Sequence, residues 1–519
     1  MRAPHYMLTR NLLIVAALIG LGGCASIDFE YPRTASYVLT ETDDTYLGRQ
    51  IAEADFDYPS DQSGFHPLRD GIDALAARLL LAGRAEKSID VQYYLIKDDI
   101  VGRAFILALL EAADRGVRVR LLLDDMFTSG YDVGMAALNS HPNFEIRVYN
   151  PFKRAATGKA GSALTDFRRI NRRMHNKTFT IDNNITLIGG RNIADEYFGA
   201  REDSVFGDLD VLGIGPIVQD VSAMFDLYWN HETALPAPAF VKELDDPQAE
   251  LDDLRHRLRD ARDDVLQSRY ANAVKDRVYD YMAEDQSIFR WAPYRLVYDS
   301  PDKGITGKAS DDSLITAPLG EALRAAENEA IIVSAYFVPL KSGIEALSGL
   351  QAKGVDITVI TNSLAANNQF MVHAGYKPAR KPLLKNGIAL YEVRPDATVS
   401  GTEFIDASAA TATLHTKAFI VDRKAVFIGS FNFDPRSANL NTELGVIIYD
   451  PELGQSFARD IETNIRGGAY EVFLDANDRV RWRGWDGDRE LIYKKEPETS
   501  WWDRFEVRFV GLFPIKSQL

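Results

Sequence analysis

The chain repeats itself, and this duplication constrains its fold more than any other property. Ser88 to Leu95 is a β-branched and aromatic run that reads as a strand, followed by helical sequence to about Arg115 and a second strand from Val117 to Asp124. The same order returns from Ala330 to Val338, through a helical stretch to about Lys353, and into Val355 to Thr361; Arg115-Gly116-Val117 is matched by Lys353-Gly354-Val355. A third strand follows in each half, Phe144 to Tyr149 before Asn150-Pro151 and Ala389 to Val393 before Arg394-Pro395. Strands alternating with helices build sheets covered by helices, and closing hairpins add antiparallel pairs. The expected class is therefore α/β: a duplicated fold of two lobes, each a mixed β-sheet flanked by helices, with the active site at their pseudo-twofold interface. A length of 519 residues agrees, since one core does not comfortably grow to that size.

The expected division is a signal segment at 1–23, an N-terminal linker at 24–65, the first lobe at 66–233, a linker with a helical insertion at 234–299, the second lobe at 300–475 and a tail at 476–519. The insertion opens on the breaker cluster Leu235-Pro236-Ala237-Pro238 and continues with Lys242 to Asp264, whose charges read as a solvated helix.

The chemistry sits in the closing hairpins. The first copy runs His175-Asn176-Lys177-Thr178-Phe179-Thr180-Ile181-Asp182, then Gly189-Gly190-Arg191-Asn192; the second runs His415-Thr416-Lys417-Ala418-Phe419-Ile420-Val421-Asp422, then Gly429-Ser430-Phe431-Asn432. The copies lie 240 positions apart (415 − 175), and in each the asparagine follows the histidine by 17 (192 − 175 and 432 − 415). Residues two apart on a strand share a face, so each half presents an imidazole beside an ammonium, from His175 and Lys177 or from His415 and Lys417. Asp182-Asn183-Asn184 and Asp422-Arg423-Lys424 read as turns, giving Asp182 and Asp422 a structural role. Gly189-Gly190 and Gly429-Ser430 leave room for a ligand close to the backbone, and Asn192 and Asn432 offer amide donors.

This set suits a phosphodiester. The anion needs donors on its non-bridging oxygens, a nucleophile on one side and a proton donor for the leaving oxygen on the other. One histidine attacks phosphorus, and the other protonates the departing alcohol and later deprotonates the acceptor. Lys177, Lys417, Asn192 and Asn432 take the place of a metal ion, so no metal or cofactor is expected. A nucleophilic imidazole also needs its distal N–H held by an acceptor. Aligning Asp208-Leu209-Asp210-Val211 with Glu443-Leu444-Gly445-Val446 offers Asp208 to the first half and Glu443 to the second. His373 reads equally as a substrate contact or as a satisfied polar residue, and His5, His66, His141, His231 and His256 as structural or surface groups.

A net charge of −16 argues against a nucleic-acid backbone as the main substrate, because such proteins carry a basic surplus or stripe. Near the start, Arg2 and Arg10 precede the apolar run Leu12 to Leu21, then Gly22, Gly23 and Cys24, the three regions of a secretory signal. The stretch Leu21-Gly22-Gly23-Cys24 resembles a bacterial lipobox, which implies lipidation of Cys24, the sole cysteine, and a periplasm-facing membrane anchor. Ala25 after the cysteine favours the outer over the inner membrane by the same resemblance. At the other end, Trp501, Phe505, Phe509 and Leu512 fall at helical spacing among Arg504, Arg508 and Lys516; an interfacial membrane helix and a helix docked on the protein's own body both fit.

The paired H-x-K-x(4)-D motifs with trailing G-G-x-N and G-S-x-N resemble the phospholipase D superfamily. Arg173-Met174-His175-Asn176-Lys177, Gly190-Arg191-Asn192-Ile193, Asn362-Ser363-Leu364-Ala365-Ala366, His373-Ala374-Gly375-Tyr376 and the Gly429 to Ser437 run are similar to its bacterial cardiolipin synthase C branch, from about His66 to the C-terminus. The resemblance implies a phosphatidyltransferase that makes cardiolipin from phosphatidylglycerol and a second phospholipid, with phosphatidylethanolamine as the donor, through a covalent phosphatidyl-histidine on His175. The alternatives are a phospholipase D-type hydrolase or nuclease and a catalytically silent scaffold. Intact duplicated catalytic sets disfavour the scaffold, and the acidic balance with the lipid anchor disfavours the nuclease. Tyr336, Phe337 and the Asn362 to Tyr376 stretch are candidates for the acceptor surface.

Overall fold

The computed structural model describes residues 27–53, 59–128, 130–152, 154, 167–201, 203–283, 288–306, 315–397 and 411–513; the expected signal segment and Cys24 lie outside them. Its strands in chain order are β1 (Gln62–Leu68), β2 (Ser88–Tyr93), β3 (Arg118–Asp124), β4 (Phe144–Tyr149), β5 (Thr178–Ile181), β6 (Ile185–Gly189), β7 (Ser204–Gly207), β8 (Asp210–Ile214), β9 (Ala234–Pro236), β10 (Arg290–Tyr298), β11 (Glu329–Ser334), β12 (Asp356–Asn362), β13 (Ala389–Val393), β14 (Thr411–Leu414), β15 (Lys417–Val421), β16 (Ala425–Gly429), β17 (Leu444–Ile448), β18 (Ala469–Leu474), β19 (Val480–Asp486) and β20 (Arg489–Tyr493).

The first lobe orders its strands β9-β4-β3-β2-β5-β6-β8-β1, with β2, β3 and β4 parallel and the hairpin β5–β6 antiparallel. The second repeats the pattern as β18-β13-β12-β11-β15-β16-β17-β10, with β19 and β20 added beyond β18. Because β1 pairs antiparallel with β10, the two sheets run on as one.

Two boundaries differ from the sequence expectation. The stretch 234–299 is not only linker and helix, since it ends in β10, which pairs through Arg290–Pro293 with β1 and through Tyr294–Tyr298 with β17. Pro293, which has no N–H to give a ladder, sits where the pairing passes from one partner to the other. The sheet of the second lobe also continues beyond residue 475, because β19 and β20 extend it. The charged insertion forms the helix Pro247–Val265, which buries Leu251 and Leu258 on one side and leaves most of its charges in solvent.

Each lobe has its own core of sheet and helix side chains, and a third cluster lies between the lobes. There Leu122, Ile188 and Val211 of the first sheet pack with Ile331, Ile420 and Val446 of the second. A continuous apolar interface therefore fixes one lobe against the other, and the motif segments meet along its edge.

The hairpin turns are alike in backbone. Asp182 and Asn183 have φ of 49° and 50°, and Asp422 and Arg423 have 51° and 54°, the left-handed conformations that a tight hairpin needs. Non-glycine residues resist that region, and here the aspartates offset the cost through hydrogen bonds. Asp182 accepts from the backbone N–H groups of Glu86, Lys87 and Ser88, and Asp422 from those of Glu327, Asn328 and Glu329. Each aspartate ties its hairpin to the start of the neighbouring parallel strand.

Candidate active site

β5 begins only at Thr178 and β15 at Lys417, so both histidines lie in the extended segments leading into the strands. What holds them there comes from the opposite lobe. His175 N–H donates to Thr442 O at 2.9 Å, with Thr442 N–H returning a bond to Arg173 O; His415 N–H donates to Gly207 O at 2.7 Å, beside the parallel pair β7–β14.

Within each lobe, the end of the second parallel strand supports the same segment. Asp124 accepts from Met174 N–H at 2.8 Å, and Asn362, at the matching place in β12, accepts from Leu414 N–H at 2.9 Å and donates to Leu414 O at 2.8 Å. Asn362 thus positions the backbone before His415 and is not part of an acceptor surface. Phe337 also departs from that expectation: it is only 1% exposed and packs against Phe433 and Tyr376 in the core, since the chain after β11 turns inward. Tyr336 is half-buried, its hydroxyl donating to Asn368.

The acids cross over. His175 Nδ1 lies 2.8 Å from Glu443 Oε2, and His415 Nδ1 lies 2.5 Å from Asp208 Oδ2. The expected assignment of Asp208 to the first half and Glu443 to the second is corrected here. Each acid directly follows the residue whose carbonyl anchors the other lobe's histidine: Gly207 precedes Asp208, and Thr442 precedes Glu443. Alignment along the chain detects each acid's place in its own repeat, whereas the interface delivers it to the partner repeat.

The room expected for a ligand at Gly190 and Ser430 is taken by the acids themselves, which also explains why the two positions differ. A Cβ at Gly190 would stand 2.2 Å from Asp208 Oδ1, so only glycine fits beside the short carboxylate. Ser430 instead donates its hydroxyl to Glu443 Oε2 at 2.5 Å.

Burial and charge set the protonation states. Burial pushes His175 down to about 4 and His415 to about 3, outweighing their carboxylate partners, while the neighbouring lysines push the same way. Burial opposes ionisation of Asp208 and Glu443, but the facing histidine and lysine hold both below the usual carboxylate range. Each pair is thus a neutral imidazole donating Nδ1–H to a carboxylate, with Nε2 free. Lys177 and Lys417 fold back onto the carbonyls of His175 and His415, and burial lowers them to about 7 and about 8. The charge of each lysine also reaches the other lobe's histidine, which places the two sets in one site.

Asn192 Nδ2 lies 2.9 Å from the Tyr197 hydroxyl while its buried Oδ1 has no partner among the described residues, and Asn432 Oδ1 accepts from Tyr336 N–H at 3.3 Å. Sequence reasoning missed the aromatic enclosure. Tyr94 meets His175 edge-on at 5.1 Å between ring centres, Tyr197 meets His415 edge-on at 4.9 Å, and Phe206 stacks on His415 at 5.7 Å. One signal was available for the last two: the acid follows the asparagine by 16 in the first half (208 − 192) but by 11 in the second (443 − 432), marking extra chain that carries them. His373 stands apart, in a buried network with Arg380 and Glu496.

The chain is similar to known proteins across both lobes. The family described as "Cardiolipin synthase, PLD-like domain" matches residues 80–229 and 319–465, one stretch in each lobe. Cardiolipin synthase C of Escherichia coli (strain K12) is 43% identical over 459 residues, covering 88% of this chain and 96% of that protein. An uncharacterized protein of Helicobacter pylori (strain ATCC 700392 / 26695) is 30% identical, covering 97% and 99% of the two chains. Among solved structures, phosphatidylserine synthase of Haemophilus influenzae Rd KW20 superposes with a TM-score of 0.55 at 13% identity, over 91% of this chain and all of that one; this likeness concerns the fold.

Proposed function

Because the chain belongs to the family of PLD-like cardiolipin synthase domains, we propose that it is a phosphatidyltransferase that makes cardiolipin at a bacterial membrane. The observation that carries the chemistry is the pair of cross-lobe histidine–carboxylate contacts, each leaving one imidazole nitrogen free in a shared, lysine-bearing site.

In the first step His175 Nε2 attacks phosphorus, the bond to the donor's headgroup oxygen breaks, and His415 supplies the proton that leaves with the alcohol. In the second, His415 takes the proton of a primary hydroxyl of phosphatidylglycerol, whose oxygen displaces His175 to give cardiolipin. Phosphatidylethanolamine is the donor in this reading. His415 changes from acid to base between the steps, as microscopic reversibility requires, while His175 is first the nucleophile and then the leaving group.

An arriving phosphodiester anion changes the electrostatics. Its charge favours the protonated forms of Lys177, Lys417 and His415, countering the burial that lowers all three. Asn192 joins the clamp with its amide turned over: Tyr197 O–H then donates to Oδ1, and Nδ2 is free for a phosphate oxygen. Asn432 is its counterpart.

Membrane contact has two proposed sources. Acylated Cys24 would anchor the chain, facing the periplasm and with the outer membrane favoured; mass spectrometry of the mature protein tests it. The C-terminal helix Trp501–Val510 would lie on the lipid surface: Val507 packs with Leu364 and Ala374 on the body, while Trp501 and Trp502 are 60% and 63% exposed. Among the described residues no helix is long and apolar enough to cross a membrane.

The test of function is incubation of the purified enzyme with labelled phosphatidylglycerol, with and without phosphatidylethanolamine. Labelled cardiolipin, increased by phosphatidylethanolamine, is the expected result; phosphatidic acid alone would replace the transferase by a hydrolase.

A further inference from the structure

Behind Tyr94, on the side away from the interlobe core, lies a cavity of about 660 Å³. Its walls come from β3, from the helices Ile100–Asp114 and Asp132–Asn139, and from the inserted helix Pro247–Val265. The inner lining is apolar, formed by Leu121, Leu123, Met135, Leu138, Leu254 and Leu258. Charged side chains such as Lys97, Asp98 and Arg257 also border it. Three further lining residues, Phe127, Tyr131 and Val133, are exposed.

We propose that this cavity binds one long acyl chain of the phospholipid whose phosphatidyl group is carried on His175. The inference rests on the reading given under Proposed function and adds where the lipid tail goes. Three observations carry it. Tyr94 belongs to both places, packing edge-on against His175 at 5.1 Å and against Phe127 of the lining at 5.5 Å, so a phosphorus held at His175 leaves its glycerol beside the cavity. The volume falls within the roughly 300–1,000 Å³ of pockets that enclose ligands of this bulk. The exposed apolar residues Phe127, Tyr131 and Val133 among the lining offer an apolar rim at which a chain can enter from a bilayer, with the charged side chains standing beside it. The inserted helix gains a role by this route: Leu254, Leu258 and Ala261 give the cavity an apolar wall, and Arg257, Asp260 and Asp264 stand at its exposed edge.

Gly134 offers a test that spares the fold. It lines the cavity from the helix Asp132–Asn139, and a Cβ built there meets no atom of the described residues within 4 Å. In the full chain, Gly134→Trp is expected to lower transfer with dioleoyl lipids about tenfold or more while leaving transfer with dihexanoyl lipids unchanged, because only the longer chain uses the apolar depth. Gly134→Ala should match the wild type on both. Independently of catalysis, cis-parinaric acid should show saturable fluorescence enhancement with the wild type and lose it with Gly134→Trp. Equal losses at both chain lengths, or unchanged parinarate binding, would overturn the assignment. If the wild type makes no cardiolipin at either chain length the functional reading falls, and the parinarate arm still decides whether the cavity takes an acyl chain.

Discussion

His415 of the second lobe donates its Nδ1–H to Asp208 of the first, 207 positions away in the chain and 2.5 Å away in space. Its counterpart joins His175 to Glu443 over 268 positions. Neither lobe holds a complete histidine–carboxylate pair by itself, so each pair exists only in the assembled whole.

The crossed pairing predicts which histidine each acid governs. Asp208→Asn should shift the Nδ1 resonance of His415 and leave that of His175 in place, with Glu443→Gln doing the reverse, as nitrogen-detected NMR would read. Each variant should lose about 10²–10⁴ in kcat, the scale seen when an orienting carboxylate becomes an amide and the imidazole tautomer is wrong. A shift at the same-lobe histidine would contradict the pairing.

His175→Ala and His415→Ala should each remove essentially all turnover while leaving the circular dichroism spectrum intact, because each imidazole has a separate task in every cycle. Acid-quenched peptide mapping of the working enzyme should find the phosphatidyl group on His175. Finding it on His415 would exchange the two roles.

Stability should fall as the medium is acidified through the histidine range. An unfolded imidazole takes up its proton near 6.5, whereas the folded His175 and His415 wait until about 4 and about 3. Between those values the unfolded chain binds more protons, so protonation favours unfolding as pH drops from 6.5 toward 4. The carboxylates, depressed below their ordinary range, add their own loss only at still lower pH. Urea unfolding at pH 7.5 and 4.5 should therefore show a smaller acid penalty for His415→Gln than for the wild type. An equal penalty would mean that the imidazole is already charged in the folded site.

Chelation should leave activity within about twofold, since the charge on phosphorus is met here by Lys177, Lys417, Asn192 and Asn432 in the role that a metal ion takes elsewhere. Rates measured before and after excess EDTA check this, and loss with recovery on adding a divalent cation would count against the scheme.

Replacing Trp501, Trp502, Phe505 and Phe509 by serine should weaken sedimentation with vesicles and leave turnover of dispersed short-chain lipids unchanged. These side chains are exposed, whereas Val507 carries the contact with the body. Vesicle binding equal to that of the wild type would make the helix a structural strap only.

The sequence by itself determined the repeat, the class of fold and the set of chemical groups. Strand, helix and hairpin each follow from periodicities and turn residues a few positions apart, and the equal spacing of His175 to Asn192 and His415 to Asn432 needs nothing beyond counting. Only the tertiary structure decided which groups meet. Asp208 and Glu443 aligned with their own histidines along the chain yet serve the opposite ones, because the contact is made across an apolar interface whose geometry leaves no local trace. Asn362 and Phe337 had residue types that suited a binding surface, and β10 lay in a stretch whose charge pattern suggested linker and helix; in each case burial and pairing by distant partners fixed the outcome. Side-chain type and spacing are properties of neighbours along the chain, whereas pairing across two lobes is a property of how their packed faces come together.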